Sequence, residues 1–135
     1  MIVSTRGRYA LRVMIDLAEQ DEHHFIPLKD IIARQSISQK YVEAIMTVLS
    51  KAGLVEAMRG KTGGYRLNRP PKDYAVGDIL RATEETLAPV ACLEDDAPPC
   101  KHAKYCKTLP LWTELNKVVS SYLDSVSLAD LIQKR

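Results

Sequence analysis

Ser38-Gln39-Lys40-Tyr41-Val42-Glu43-Ala44-Ile45-Met46-Thr47-Val48-Leu49 is the stretch whose reading decides the fold. Val42, Ile45, Met46 and Leu49 fall at i, i+3, i+4 and i+7, the stripe of a helix with one buried face. Ser38 is a good N-cap, and Gly53 marks the helix end. The first turns present Ser38, Gln39, Lys40, Tyr41 and Glu43. These are the residue types a helix needs to read DNA: the major groove admits one helix, whose polar N-terminal residues meet base edges while its apolar face stays on the core. Ser, Gln and Lys donate to base acceptors, Glu43 can accept from cytosine, and Lys40 or Tyr41 can hold phosphate.

Upstream, Ala10, Val13, Met14 and Leu17 repeat the same spacing and predict a helix over 8–20. His23-His24-Phe25-Ile26-Pro27 interrupts it, and Leu28, Ile31 and Ile32 predict a second helix ending near Gln35. Downstream, two strand-like runs, 54–58 and 65–67, flank Arg59-Gly60-Lys61-Thr62-Gly63-Gly64, a basic and glycine-rich hairpin tip. Pro70-Pro71 closes the unit. Three short helices followed by a hairpin is the order of a winged helix-turn-helix. In it Arg59 can enter the minor groove while Gly60 and its neighbouring glycines let the backbone approach phosphates. Taken singly, a polar helix face is usually just solvated and a glycine-rich hairpin is often only a turn. Their order within one short stretch favours the DNA-reading interpretation.

Val76, Ile79, Leu80 and Thr83 predict a short helix leading into a loop over about 88–107. After the loop, Thr108 is placed to cap, and Pro110 to start, a long helix. Leu111, Trp112, Leu115, Val118, Val119, Tyr122 and Leu123 form its wide apolar stripe. Ser127-Leu128-Ala129-Asp130 resembles a capping box opening a last short helix. The chain thus divides into 1–75, a winged helix-turn-helix unit, and 76–135, a linker helix, a cysteine loop and a long helix. The fold class is mostly α with a small β-hairpin wing.

The loop holds all three cysteines, as Cys92-x7-Cys100-x5-Cys106, with the acidic run Glu94-Asp95-Asp96 between the first two. Thiolates converging from a flexible loop suit a soft metal or an iron–sulfur cluster; three incidental thiols are the other reading. An odd count in a reducing compartment argues against a structural disulfide. Zinc also binds such loops.

Bulk properties are permissive. Residues 1–75 carry twelve Lys and Arg against eight Asp and Glu, and residues 76–135 seven against nine. The basic half suits a polyanion. Only 6% of residues are aromatic, which does not provide for a large aromatic-lined pocket. The absence of a long apolar run predicts no membrane span, and the early polar N-terminus, Met1 to Arg6, predicts no signal peptide and hence a cytoplasmic protein. There is no nucleophile–base spacing, no Walker-type loop and no His-Glu-x-x-His helix, so an enzyme is not expected.

Ser4-Thr5-Arg6-Gly7-Arg8-Tyr9-Ala10-Leu11, Ile37-Ser38-Gln39-Lys40-Tyr41-Val42-Glu43, Gly53-Leu54-Val55, Arg59-Gly60-x-x-Gly63-Gly64-Tyr65 and Val76-Gly77-Asp78-Ile79 resemble, in order, the winged-helix regulators of the IscR, CymR, RirA and NsrR type. The similarity runs on to Leu111-Trp112 and Ser127-Leu128, essentially the whole chain. It implies a homodimer, acting as repressor or activator on a roughly palindromic operator of double-stranded DNA, with the long C-terminal helix packed on its partner. It implies contacts from Ser38, Lys40, Tyr41 and Glu43 and a wing contact from Arg59. It further implies a [2Fe–2S] or [4Fe–4S] cluster on Cys92, Cys100 and Cys106 that senses iron, redox or nitric oxide status. The fourth ligand does not carry over. The histidine of IscR-type proteins is replaced by Leu109, and the acidic residue of NsrR-type proteins by Arg8. His102 lies inside the loop, whereas His23 and His24 fall in a helix connection. CymR-type members lack the cysteines but share a loop like Pro89-Val90-Ala91-Cys92-Leu93-Glu94-Asp95. They imply the alternative: a cluster-free regulator of sulfur metabolism acting through cysteine synthase or through thiol oxidation.

Overall fold

The computed structural model describes residues 3–21 and 23–133. Six helices and one hairpin follow in order: α1 (Thr5–Ala18), α2 (Leu28–Gln35), α3 (Gln39–Lys51), β1 (Val55–Met58), β2 (Gly64–Leu67), α4 (Val76–Thr83), α5 (Leu109–Ser125) and α6 (Leu128–Gln133). Short 3-10 turns occupy Pro71–Asp73 and Ala91–Leu93. The mostly helical winged architecture expected from the sequence is the observed one.

The apolar stripes become one core. Val13, Met14 and Leu17 of α1, Ile31 of α2, and Val42, Ile45, Met46 and Leu49 of α3 are all buried in it. Burying side chains of this size stabilises by about 1.5–3 kcal/mol each, so these helices hold one another rather than standing alone. The core does not stop at residue 75, because Ile79 of α4 and Leu128 of α6 belong to the same cluster. A smaller cluster of Val76, Leu80 and Val126 seats α4 against the chain end.

Helix ends follow side-chain chemistry. Ser38 Oγ accepts from the Tyr41 N–H at 3.3 Å, capping α3 as expected. Ser127 and Asp130 form a reciprocal box, the Ser127 N–H donating to Asp130 Oδ2 at 2.9 Å and the Asp130 N–H to Ser127 Oγ at 3.1 Å. Two expectations need correcting. First, α1 begins at Thr5, capped by Ser4, whose Oγ accepts from the Gly7 N–H at 3.2 Å; the apolar stripe alone does not reach that far. Second, the Thr108 side chain makes no cap bond to α5, because its hydroxyl is engaged with Cys106 Sγ at 3.3 Å.

The wing pairs Val55 with Leu67 through to Met58 with Gly64, antiparallel. A third stretch of chain lies along it. The Ile26 N–H donates to the Tyr65 carbonyl at 2.8 Å, and the Tyr65 N–H to the Ile26 carbonyl at 2.9 Å. Gly64 makes that approach possible: a Cβ there would sit 2.1 Å from the Ile26 carbonyl oxygen. The wing is therefore stitched to the α1–α2 connection toward its tip. Its other side is pinned by Tyr74, whose buried hydroxyl donates to the Leu54 carbonyl at 2.7 Å and accepts from the Asn68 N–H at 2.9 Å.

Among the described residues, no helix is long and apolar enough to cross a membrane.

Candidate nucleic-acid interface and cysteine loop

The start of α3 and the wing tip are both exposed and polar. Ser38, Gln39, Lys40 and Glu43 are exposed on the first turns of α3, opposite the face that buries Val42, Ile45 and Met46. Gln39 Nε2 donates to Glu43 Oε1 at 2.9 Å, an i,i+4 pair that holds both side chains along the exposed face. Tyr41 differs from its neighbours. It is half-buried, with its ring edge-on to Tyr9 at 5.4 Å between centroids. Its ring is partly committed to packing.

At the wing tip, Arg59 and Gly60 are exposed. Gly60 has a φ of 111° with open space around its Cα, so it shapes the turn rather than relieving a clash. Arg66, further down the wing, is taken up by Glu56 at 2.9 Å and lies over the Phe25 ring. Arg69 stacks on Tyr74, and its guanidinium donates to the Gly53 carbonyl at 3.1 Å. Asn68 Nδ2 donates to the same carbonyl at 2.6 Å. The C-terminal end of α3 and the base of the wing are thus joined. Sequence reasoning missed Asn68, Arg69 and Tyr74, because their partners are backbone carbonyls brought near only by the fold.

The cysteine loop is built differently. Cys92 and Cys100 are exposed and Cys106 is intermediate, and all three are free thiols. Their donor chemistry suits a soft metal or an iron–sulfur cluster, but their positions do not yet form a site. Among the described residues, no group of three or more His, Cys, Asp or Glu side chains is gathered to hold a metal ion. The histidines of the chain and the two positions where relatives carry a fourth ligand are scattered. His102 is exposed in the loop, Leu109 opens α5, and Arg8 donates to Thr5 Oγ1 at 3.1 Å on α1. His24 pairs with Asp21 at 2.8 Å, and the His23 N–H donates to Asp21 Oδ1 at 2.9 Å, away from the loop. Those bonds, led by the His23 N–H, hold the Asp21 carboxyl below its usual range.

The fold biases the ionisation of Cys106. The Thr108 hydroxyl, then the Thr108 and Leu109 N–H groups, favour its thiolate and lower its pKa from the ordinary thiol value. An open cleft of about 300 Å³ lies between the chain following α4, the acidic run and α5; Arg81, Glu94, Asp95 and Asn116 are among its walls. Arg81 of α4 grips Asp124 of α5 through two bonds of 2.7 and 3.0 Å, fixing those helices on either side of the loop. On α5 none of the described residues is buried. Its wide stripe splits into two faces: Trp112, Val119 and Leu123 turn partly inward, while Leu111, Leu115, Val118 and Tyr122 are left exposed.

Comparison with known proteins gives these features a context. A family model described as "Rrf2: Iron-dependent Transcriptional regulator" matches residues 3–134. The chain is 39% identical over 132 residues to the HTH-type transcriptional regulator IscR of Aliivibrio salmonicida, covering 98% of this chain and 77% of that protein. It is also 39% identical over 133 residues to Protein rrf2 of Nitratidesulfovibrio vulgaris, covering 98% and 88%. Among solved structures, it is similar to CymR, the global cysteine regulator of B. subtilis, with a TM-score of 0.79 and 35% identity over 100% of this chain and 98% of that one. IscR of T. potens matches with a TM-score of 0.76 and 37% identity over 98% and 87%. The family and these relatives are transcriptional regulators, not enzymes. From end to end, then, the chain belongs to the Rrf2 family of transcriptional regulators.

Proposed function

We propose that the chain is a cytoplasmic, homodimeric regulator whose residues 1–75 read a roughly palindromic operator in double-stranded DNA, and whose residues 76–135 carry the sensor and the dimer contact. The observation that carries the DNA reading is the exposed polar start of α3 together with the exposed wing tip, on a helix and a hairpin that share one core. Ser38, Gln39, Lys40 and Glu43 meet base edges or phosphates in the major groove, the Tyr41 hydroxyl meets a phosphate, and Arg59 with Gly60 meets the minor groove. The exposed row Leu111, Leu115, Val118 and Tyr122 on α5 supports the dimer, since an apolar row of that length on a helix is covered in use.

Sequences recovered by the wild-type protein from a random duplex pool test the DNA reading. Glu43→Ala is expected to relax one base position by about 1–3 kcal/mol, while Arg59→Ala weakens binding and minor-groove selectivity. Unchanged sequence preference in Glu43→Ala contradicts the placement of α3 in the major groove.

For sensing, the reading is that Cys92, Cys100 and Cys106 hold an iron–sulfur cluster, [2Fe–2S] or [4Fe–4S], with a fourth ligand from elsewhere. Three thiols on one exposed loop support it, and so does similarity to IscR-type proteins. When bound, such a cluster supplies chemistry responsive to iron, oxygen or nitric oxide. A second reading, favoured by the scattered thiols and the likeness to CymR, is a cluster-free regulator of sulfur metabolism acting through thiol oxidation or a partner enzyme such as cysteine synthase. Operator binding and its response to iron, compared before and after replacing all three cysteines, separate the two.

A further inference from the structure

The turn between α2 and α3 contains a residue that needs explaining. Ser36 has φ 54° and ψ 42°, the left-handed conformation, and is the one non-glycine residue with positive φ among the described residues. A side chain in that conformation crowds its own backbone, so it persists only where the surroundings over-determine it. The two residues after it bring the chain to Ser38, the cap of α3. The conformation of Ser36 therefore sets the angle at which the base-reading helix leaves the turn.

The Ser36 N–H caps α2 by donating to the Ile32 carbonyl at 2.9 Å, and a further restraint lies in the residue just before it. Gln35, the last residue of α2, is held at both ends of its side chain and at its carbonyl. Its Nε2 donates to Asp16 Oδ2 at 2.8 Å, its Oε1 accepts from Arg12 Nε at 3.2 Å, and its carbonyl accepts from the Arg12 guanidinium. Asp16 is only 2% exposed, an unusual place for a carboxylate. Arg34 Nε and one terminal nitrogen neutralise it from 3.0 and 2.8 Å. With Gln35 added, the carboxylate is both charge-paired and fully hydrogen-bonded, so it can stay buried and rigid. Arg12 also lies over the Tyr9 ring at 5.2 Å, and Tyr9 packs against Tyr41 on α3. Through Tyr9 the clamp is thus linked to the recognition helix on one side of the turn, and it grips the turn itself on the other.

We propose that Asp16, Arg12 and Gln35 are positioning residues for DNA recognition: they hold Ser36 in its left-handed conformation and thereby fix the approach of α3. The inference rests on α3 being the base-reading helix. Two of the basic residues in residues 1–75, Arg12 and Arg34, are accordingly spent on internal geometry rather than on phosphate.

The test measures, with the full-length protein, dissociation constants for a duplex selected by the wild type and for a random-sequence duplex, together with the thermal unfolding midpoint. Gln35→Ala and Arg12→Met leave the buried Asp16–Arg34 pair intact and so keep the fold. Each is expected to lower the selected-to-random affinity ratio by about tenfold, with random-duplex affinity unchanged. Adding Ser36→Gly to Gln35→Ala is expected to recover most of the ratio, because glycine adopts the left-handed conformation without a clamp. A ratio within about twofold of wild type in both single variants overturns the proposal. Equal loss on both duplexes also overturns it, since that is the signature of lost phosphate contacts. If the wild type selects no sequence, the DNA reading of α3 fails first. If Glu43→Ala changes the ratio and the clamp variants do not, only the clamp fails.

Discussion

The start of α3 and the cysteine loop hold the chain's two sets of candidate functional side chains, and they are built on opposite plans. The α3 residues stand on a helix with a side-chain cap at one end and the Gly53 carbonyl held by Asn68 and Arg69 at the other. Four inward residues anchor it: Val42, Ile45, Met46 and Leu49 are fully buried. The cysteines stand on a segment with one short 3-10 turn, where Cys92 and Cys100 point to solvent. A recognition surface has to be preorganised, because each rotamer ordered on binding costs affinity. A sensor has to change with its signal, so it is drawn from the weakly held part of a fold. On the proposed reading, the difference between the two regions is the difference between reading and responding.

That contrast breaks if loop and helix tolerate substitution equally. Leu49→Ala, in the core beneath α3, is expected to cost about 2–5 kcal/mol in urea unfolding. Cys100→Ala, exposed in the loop, is expected to stay within about 0.5 kcal/mol. A loop substitution as costly as the core one would mean the loop is structural. Tyr74→Phe comes next. It removes the hydroxyl that joins Leu54 and Asn68 at the wing base, leaves both backbone groups short of a partner, and is expected to cost about 1–3 kcal/mol by the same measurement. Ser38→Ala removes the α3 cap and is expected to cost about 1 kcal/mol, which circular dichroism melting resolves.

The smallest effect sharpens the other side of the comparison. Hydrogen bonds from the Thr108 hydroxyl and from nearby backbone N–H groups favour the Cys106 thiolate, so its pKa lies below the ordinary value. In Thr108→Val the hydroxyl is gone and the thiolate loses its leading support. The pH midpoint of Cys106 alkylation is therefore expected to move upward, read by mass spectrometry of the iodoacetamide-treated peptide. An unmoved midpoint would mean that the loop exerts no such bias.

How far the sequence spoke depended on how local the physics was. The α3 stripe, its Ser38 cap and the Ser127–Asp130 box are set by residues a few positions apart, and they read off directly. The start of α1 did not, because Gly7 and the polar residues around it carry no apolar period to mark it. The Ile26–Tyr65 pairing and the Tyr74 pin join residues far apart in sequence, and no local pattern announces them. The α5 stripe was legible as apolar, but not as two faces. At the candidate site, residue types were readable while placement was not: Tyr41 looked like a free surface residue and is partly packed on Tyr9. The three cysteines are neighbours in sequence, yet a loop with few fixed contacts does not bring them together.

The most direct test of a preformed reader joined to a loop completed by a bound cluster is the visible spectrum and iron content of anaerobically prepared protein, with the Cys92→Ala, Cys100→Ala and Cys106→Ala variants alongside. The account predicts a brown wild type containing iron and sulfide. It predicts colourless variants that keep the random-duplex affinity of the wild type and the unfolding midpoint of the wild type stripped of its cluster. A colourless wild type prepared with ample iron and sulfide would contradict it.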